Sequence, residues 1–415
     1  MTPVARDAPA RPPAAPVRRV GLLGAFGIGN RGNDVTLRAF ADALTTADVG
    51  DVVEPVAVCP APATVEATGV RAAAWTRPRS GSSLLARLTA RLGDLVWTWR
   101  TVRGLDAVVL AGGGLLEVTR LRASTTAWTV AAYTWAGHLQ HKPVVFWSVG
   151  GDELPHGPAR LLVRAALRGA TTVAVRDDHS RRAVEALDGR APATVHDVVL
   201  ALPVEDEPRP SPTGPLGTGA TVAVGVFNAR GATAADGAAL DADRYESELC
   251  RTVCGLVDQG DDVVLLGGAA IDAAVIDDIV ARCEHDLGPR ACQVHRGAYD
   301  DYPTAHRTLA GADLAVVARY HSAIAALTAG TPTVSVGYGP KNRELMAQFG
   351  QEEYCADLPR ARADEVLALV ERLRRRVRSE ATAIAGAHRR LQATTRAELD
   401  TLAALLAHSP TTIRR

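Results

Sequence analysis

From Arg19 onward the chain repeats one pattern, a short and almost wholly apolar run followed by a longer stretch whose apolar positions recur every three or four residues. Arg19–Ala25 is the first such run, closed by glycines, and it leads into Asp34–Leu44, where Val35, Leu37, Phe40, Ala41 and Leu44 fall at helical spacing. The spacing predicts a strand feeding a helix. Further strands are predicted at Val52–Val58, Ala107–Leu110, Val144–Ser148 and Thr172–Val175, with helices around Leu84–Val102, Thr126–Leu139, Ala159–Leu167 and His179–Leu187. Apolar runs of this kind, set between amphipathic helices, belong to parallel strands covered on both faces.

The rhythm stops between Leu202 and Gly219, where Pro203, Pro208, Pro210, Pro212 and Pro215 break either regular element. It restarts with strands at Val222–Val226, Val263–Leu266, Cys292–Val294, Leu314–Val317 and Thr333–Val336. The helices between them are predicted around Arg244–Val257 and Ala273–Cys283, in a segment ending near Ala310, around Ala323–Leu327, and after Lys341. Residues 363–408 read as a long helical region with a break expected near Gly386. The resulting organisation is a disordered tail (1–17), an α/β domain (18–201), a linker (202–219), a second α/β domain (220–362) and a helical segment (363–415). The fold class is α/β, with two doubly wound, Rossmann-like domains facing across a cleft. Such folds bind ligands beyond their strand ends, so the site is expected between the domains.

The proline-rich tail offers no uninterrupted apolar stretch, so no signal peptide is expected. The region from Trp128 to Gly151 is cut by His138, Gln140, His141 and Lys142, short of the roughly 20 apolar residues a membrane span needs. A cytoplasmic protein is the expectation. Lys and Arg number 46 and Asp and Glu 46, so no net field would gather nucleic acid. Cys59, Cys250, Cys254, Cys283, Cys292 and Cys355 lack metal-finger spacing and are expected to be free thiols. Only Lys142 and Lys341 among the basic residues are lysines, so a lysine in this chain invites a specific reason.

Gly27-Ile-Gly29-Asn-Arg-Gly32 matches G-x-G-x-x-G, but the second strand ends in Val58-Cys59-Pro60 without the acidic residue that would hold a dinucleotide's ribose. What survives is that glycines let backbone amides approach a ligand. Gly112-Gly113-Gly114 and Gly150-Gly151 repeat this at two further strand ends. In the second half, Arg319 and His321 stand two apart after a buried strand predicted to end at Ala318, which on extended backbone puts them on one side. Tyr338 and Lys341 follow the neighbouring strand, and Arg176-Asp177-Asp-His-Ser180 closes a strand of the first half. Each is ordinary alone. Arg319, His321 and Lys341 together could converge on a small polyanion.

Asn30-Arg-Gly32, the triple glycine, Arg176-Asp177-Asp-His-Ser180, Arg319-Tyr-His321 and Tyr338-Gly-Pro-Lys341 occur in an order that resembles the polysaccharide pyruvyltransferase family, across roughly residues 19 to 350. The resemblance implies a fold similar to the GT-B glycosyltransferases, with the terminal helix returning to the first domain. It implies phosphoenolpyruvate as donor, a saccharide or glycoside as acceptor, and neither a cofactor nor a metal. On that chemistry His321 would act as general acid and Arg319 would accompany it as a catalytic residue, while Arg176, Lys341 and Tyr338 would contact the donor. Gly29, Asn30, Asp34, Gly113 and Gly114 would line the acceptor side. Two departures, Asn33 and Asp197-Val198, are expected outside the donor site and so to bear on the acceptor. A lipid-linked acceptor, and with it peripheral membrane contact, stays open. So do a nucleotide-sugar glycosyltransferase, with Glu344 or Glu352 holding the ribose, and a non-catalytic subunit of a glycan-assembly complex.

Overall fold

The computed structural model describes residues 17–47, 52–76, 84–116, 123–151, 157–203, 216–217, 219–232 and 238–407. The first domain comprises β1 (Val17–Leu23), α1 (Arg31–Thr46), β2 (Val52–Cys59), α2 (Pro62–Glu66), β3 (Arg71–Ala74), α3 (Leu84–Arg103), β4 (Ala107–Ala111), α4 (Ala123–Leu139), β5 (Val144–Val149), α5 (Pro158–Gly169), β6 (Thr172–Val175), α6 (Asp178–Asp188) and β7 (Ala193–Thr194). Its seven strands are parallel, in the order β3-β2-β1-β4-β5-β6-β7. Every residue of β4 and β5 is buried, as expected for central strands sandwiched between helices.

The second domain comprises β8 (Thr221–Gly225), α7 (Ala242–Asp258), β9 (Asp262–Leu266), α8 (Ala273–Leu287), β10 (Val294–Arg296), α9 (Tyr302–Ala310), β11 (Leu314–Val317), α10 (Tyr320–Thr328), β12 (Thr333–Gly337), α11 (Pro340–Gln348) and β13 (Cys355–Asp357). Its six parallel strands run β10-β9-β8-β11-β12-β13. Each sheet therefore has one point where strand order reverses, between β1 and β4 in the first and between β8 and β11 in the second.

Two helices complete the chain, α12 (Ala363–Arg375) and α13 (Val377–Ala407). The break falls at Arg376 and not at the expected Gly386, which lies inside α13. A glycine costs a helix only about 1 kcal/mol relative to alanine, and the flanking Ile384, Ala387 and His388 are buried, so the helix runs through it. The break at Arg376 redirects the chain from the second domain back to the first. There Leu399, Leu402 and Leu406 enter the first domain's core, each worth roughly 1.5–3 kcal/mol of burial. Glu398 accepts the backbone N–H of His196 at 2.9 Å, and Leu406 O accepts from Arg18 Nη1 at 3.0 Å.

Two further boundaries differ from expectation. Val17, assigned to the tail, pairs with Val52 as the first residue of β1, while residues 1–16 lie outside the described residues. Most of the expected linker, 204–215 and 218, lies outside them too. Cys292 belongs to a 3-10 turn and the strand begins at Val294. The short β3, β7 and β13 carry too few residues to show a period in the sequence.

Candidate active site

The two reversal points face one another across a cavity of about 320 Å³. From the first sheet it is lined by Gly24 to Phe26 after β1 and by Ala111 to Leu115 after β4; from the second, by Gly225 at the end of β8 and Val317 and Arg319 at the end of β11. Ligands of doubly wound sheets bind at such points because the flanking loops diverge there and leave a crevice.

The first loop is also an interdomain tie. Gly29 O accepts from Ala270 N at 3.0 Å, and Arg31 N donates to Gly268 O at 3.3 Å. Asn30 caps α1 by accepting from Gly32 N at 3.1 Å, and it lines the cavity, as do Gly113 and Gly114. Gly29 and Asp34 do not line it. Gly29 is spent on the tie at a φ of +80°, and Asp34 accepts the backbone N–H of Gly27 at 2.7 Å. Burial raises the Asp34 carboxyl above its ordinary range, against the pull of that hydrogen bond and of the Arg31 charge. Gly150 and Gly151 stand behind the cavity: Gly150 N donates to Gly113 O at 2.8 Å, and Gly151 N to Ser180 Oγ at 2.8 Å. The third glycine loop thus supports the second instead of extending the binding surface. Trp75, Trp97, Trp99 and Trp128 are not among the lining residues.

On the second domain's side, the expected same-side placement on extended backbone does not apply. The strand ends at Val317, Arg319 is the N-cap of α10, and His321 is that helix's second residue. Arg319 reaches Asp272 through two bonds, Nε to Oδ2 at 2.8 Å and Nη2 to Oδ1 at 2.5 Å. Asp272 is fully buried and also accepts the N–H groups of Gly268, Ala269 and Asn228 at 2.8, 2.8 and 2.9 Å. A Cβ on Gly268 would stand 2.4 Å from Arg319 Cδ, so the glycine makes room for the arginine. The guanidinium lies 4.8 Å from the centre of the Phe227 ring, which stacks on Tyr338 at 4.9 Å, and Lys341 Nζ stands 5.2 Å from the centre of that tyrosine. Arg319 is therefore a fixed cation whose charge is already paired with a buried carboxylate.

His321 crosses to the first domain. A Cβ on Gly32 would lie 2.3 Å from His321 Nδ1, so the imidazole seats on the bare first turn of α1. Its Nε2 is 3.5 Å from Thr36 Oγ1 and 3.9 Å from Asp197 Oδ2. The same Asp197 oxygen is 3.8 Å from Nη1 of Arg176, whose Nε donates to Asp177 Oδ2 at 3.1 Å and whose guanidinium lies over Tyr320. Asp197, expected outside the donor side, is thus buried between its arginine and its histidine. Asn33, expected with it, lines the same cavity. Sequence reasoning also passed over Asp272 and Arg31. Arg31, the first residue of α1, lines the cavity with its guanidinium 5.3 Å from the Tyr299 ring centre and its Nε buried without a hydrogen-bond partner. An arginine inside a glycine loop at a helix start was the signal available for it.

Two parallel α/β domains joined across facing strand ends constitute the GT-B fold. Similar solved structures include UDP-GlcNAc 2-epimerase from Neisseria meningitidis bound to UDP-GlcNAc, with 10% identity, a TM-score of 0.55, and 91% of this chain and 99% of that one covered. The glycotransferase of kitacinnamycin is similar at 15% identity and a TM-score of 0.54, with 94% and 99% covered. MurG from Acinetobacter baumannii is similar at 12% identity and 0.51, with 93% and 99% covered. At these identities the likeness is one of fold. None of the curated proteins compared matches the sequence significantly. The model of the polysaccharide pyruvyl transferase family matches residues 33–340, and the chain belongs to that family.

Proposed function

We propose that the protein transfers a pyruvyl group from phosphoenolpyruvate to two hydroxyls of a saccharide, forming a cyclic ketal and releasing inorganic phosphate. Family membership makes it a saccharide-directed transferase; the donor and the residue roles are our reading. The observation that carries it is the gathering of Arg31, Arg176, Arg319, His321 and Lys341 around one cavity between the domains. A donor bearing both a phosphate and a carboxylate needs several fixed cations, and arginine's planar fork suits both groups.

In this reading His321 protonates the methylene carbon of the donor while one sugar hydroxyl adds to the neighbouring carbon. The second hydroxyl then displaces phosphate from that carbon; one hydroxyl proton leaves with the phosphate and the other, directly or through solvent, restores the proton that His321 gave up. Asp197 acts as a positioning residue by holding negative charge beside the imidazole and Arg176. Arg319, paired with Asp272, supplies a fixed donor surface, and Lys341 and Arg31 supply charge from opposite walls. The acceptor lies along Asn30, Gly113 and Gly114. For the nucleotide-sugar alternative, Glu344 is already engaged: its Oε2 accepts the N–H groups of Asp178 and His179 at 2.8 and 3.2 Å, capping α6 across the domain boundary.

The test is ligand choice followed by turnover. Phosphoenolpyruvate should raise Tm where UDP- and GDP-sugars do not, because a selective ligand stabilises by mass action. With a panel of hexosides, purified protein should release phosphate in step with a product one ketal-linked pyruvyl unit heavier. Stabilisation by a nucleotide sugar alone, without donor-dependent phosphate release, would overturn the reading.

A further inference from the structure

Away from the cavity, α7 and α8 pack side by side on the second sheet and bring three thiols together. Cys250 and Cys254 are four residues apart and therefore share one face of α7. Cys283 meets them from α8. All three sulfurs lie within 4.8 Å of one another, and Sγ of Cys254 is 3.9 Å from Sγ of Cys283. Their spacing in the sequence has no metal-finger form, so only the helix pairing reveals the cluster.

We propose that Cys250, Cys254 and Cys283 bind one soft, thiophilic d10 metal ion as a three-thiolate site. The geometry needs little change to do so. An ion about 2.3 Å from each of three sulfurs holds them about 4.0 Å apart if trigonal and about 3.8 Å apart if tetrahedral with a water as fourth ligand. A disulfide would instead require two sulfurs to close to about 2.05 Å. Cys250 and Cys283 are buried, while Cys254 is half-buried and gives the ion an entry path on one side. Sulfur ligands without an oxygen donor select such ions over magnesium or calcium.

The site would act as a staple. Tyr245 of α7 accepts the N–H of Phe227 at 3.2 Å, and Phe227 packs beneath Arg319. Asp272, the partner of Arg319, immediately precedes α8. An ion joining α7 to α8 would thus brace both supports of the cavity wall without touching donor or acceptor. The inference does not depend on the identity of the donor.

The experiment uses the full chain carrying Cys292→Ser, which removes an exposed thiol, fully reduced and under anaerobic conditions. Titration with Cd²⁺ should give a thiolate-to-cadmium ultraviolet band saturating at one ion per chain, and X-ray absorption should count three sulfurs. Zn²⁺ and Cu⁺ should compete with Cd²⁺ for the same site, and binding should raise Tm. Cys254→Ser, at the half-buried position, should fold normally and lose about 100-fold or more in affinity together with the Tm shift. Substoichiometric binding, or an unchanged band and affinity in Cys254→Ser, would overturn the site. So would a sulfur count of one, or conversion of Cys254 and Cys283 to a disulfide by a mild oxidant in a reduced chain that binds no metal.

Discussion

On the first domain's side the cavity wall is rich in backbone, with Gly24, Gly32 and the run Gly112–Gly114 set beside Asn30, Arg31 and Asn33 at the start of α1 and Arg176 after β6. On the second domain's side it is largely side chains, and the arginine among them is anchored to a buried carboxylate. The difference separates two tasks. A glycine wall leaves room and presents amides to a hydroxyl-rich partner, whereas a wall of braced cations presents charge that does not reorganise when an anion arrives. His321 joins the two, rooted in α10 and seated on α1.

If the side-chain wall carries the chemistry, His321→Ala should give the largest effect. A general acid contributes roughly 10²–10⁴-fold, so kcat should fall by about 10³-fold while phosphoenolpyruvate still raises Tm. Phosphate release at the wild-type rate would remove the histidine from the mechanism. Asp272→Asn should come next, because it strips the buried partner from Arg319 and sets an amide against several donors. We expect a loss of about 3 kcal/mol in urea unfolding, with a raised donor KM. A variant of unchanged stability would mean that Arg319 holds its place without the ion pair.

Gly32→Ala attacks the comparison itself, since it changes the backbone wall and is read out on the side-chain wall. The new Cβ would fall 2.3 Å from His321 Nδ1, so the ring must move. A misplaced acid should cost about 100-fold in kcat, with a modest change in stability. An unaltered kcat would show that the imidazole works from another position.

The elements that the sequence revealed are those with a long period or a full apolar run. All central strands and long helices were visible because burial on both faces, or on one stripe, leaves a repeating mark. Arg176, Tyr338, Lys341 and His321 were visible because each closes or follows such a strand. The supporting roles of Asp272 and Asp197 were not, since each follows a different strand from the residue it supports and only the fold brings Asp272 to Arg319 or Asp197 to His321 and Arg176. The thiol cluster was hidden for the same reason: helix packing sets which faces meet. Gly32 completes the G-x-G-x-x-G match, yet its local role is to seat a histidine from the other domain.

The smallest expected effect concerns how the two walls are held together, through α13. His388 lies on that helix, and burial pushes its imidazole down from 6.5 to about 4, with the charges of His306, Arg396 and Arg389 acting in the same direction. The folded protein therefore keeps His388 neutral, while the unfolded chain takes up a proton as pH falls below the ordinary histidine value. Between these two values the unfolded state binds more protons, so stability should fall with falling pH and be level above about 6.5, as far as this group is concerned. From about pH 6.5 to about pH 5 the loss should be about 1.5 kcal/mol. His388→Leu, which also removes the unpartnered Nε2, should flatten that part of the profile relative to wild type. An identical slope in both proteins would mean that α13 admits the protonated ring without yielding, and that the pH sensitivity of the domain junction arises elsewhere.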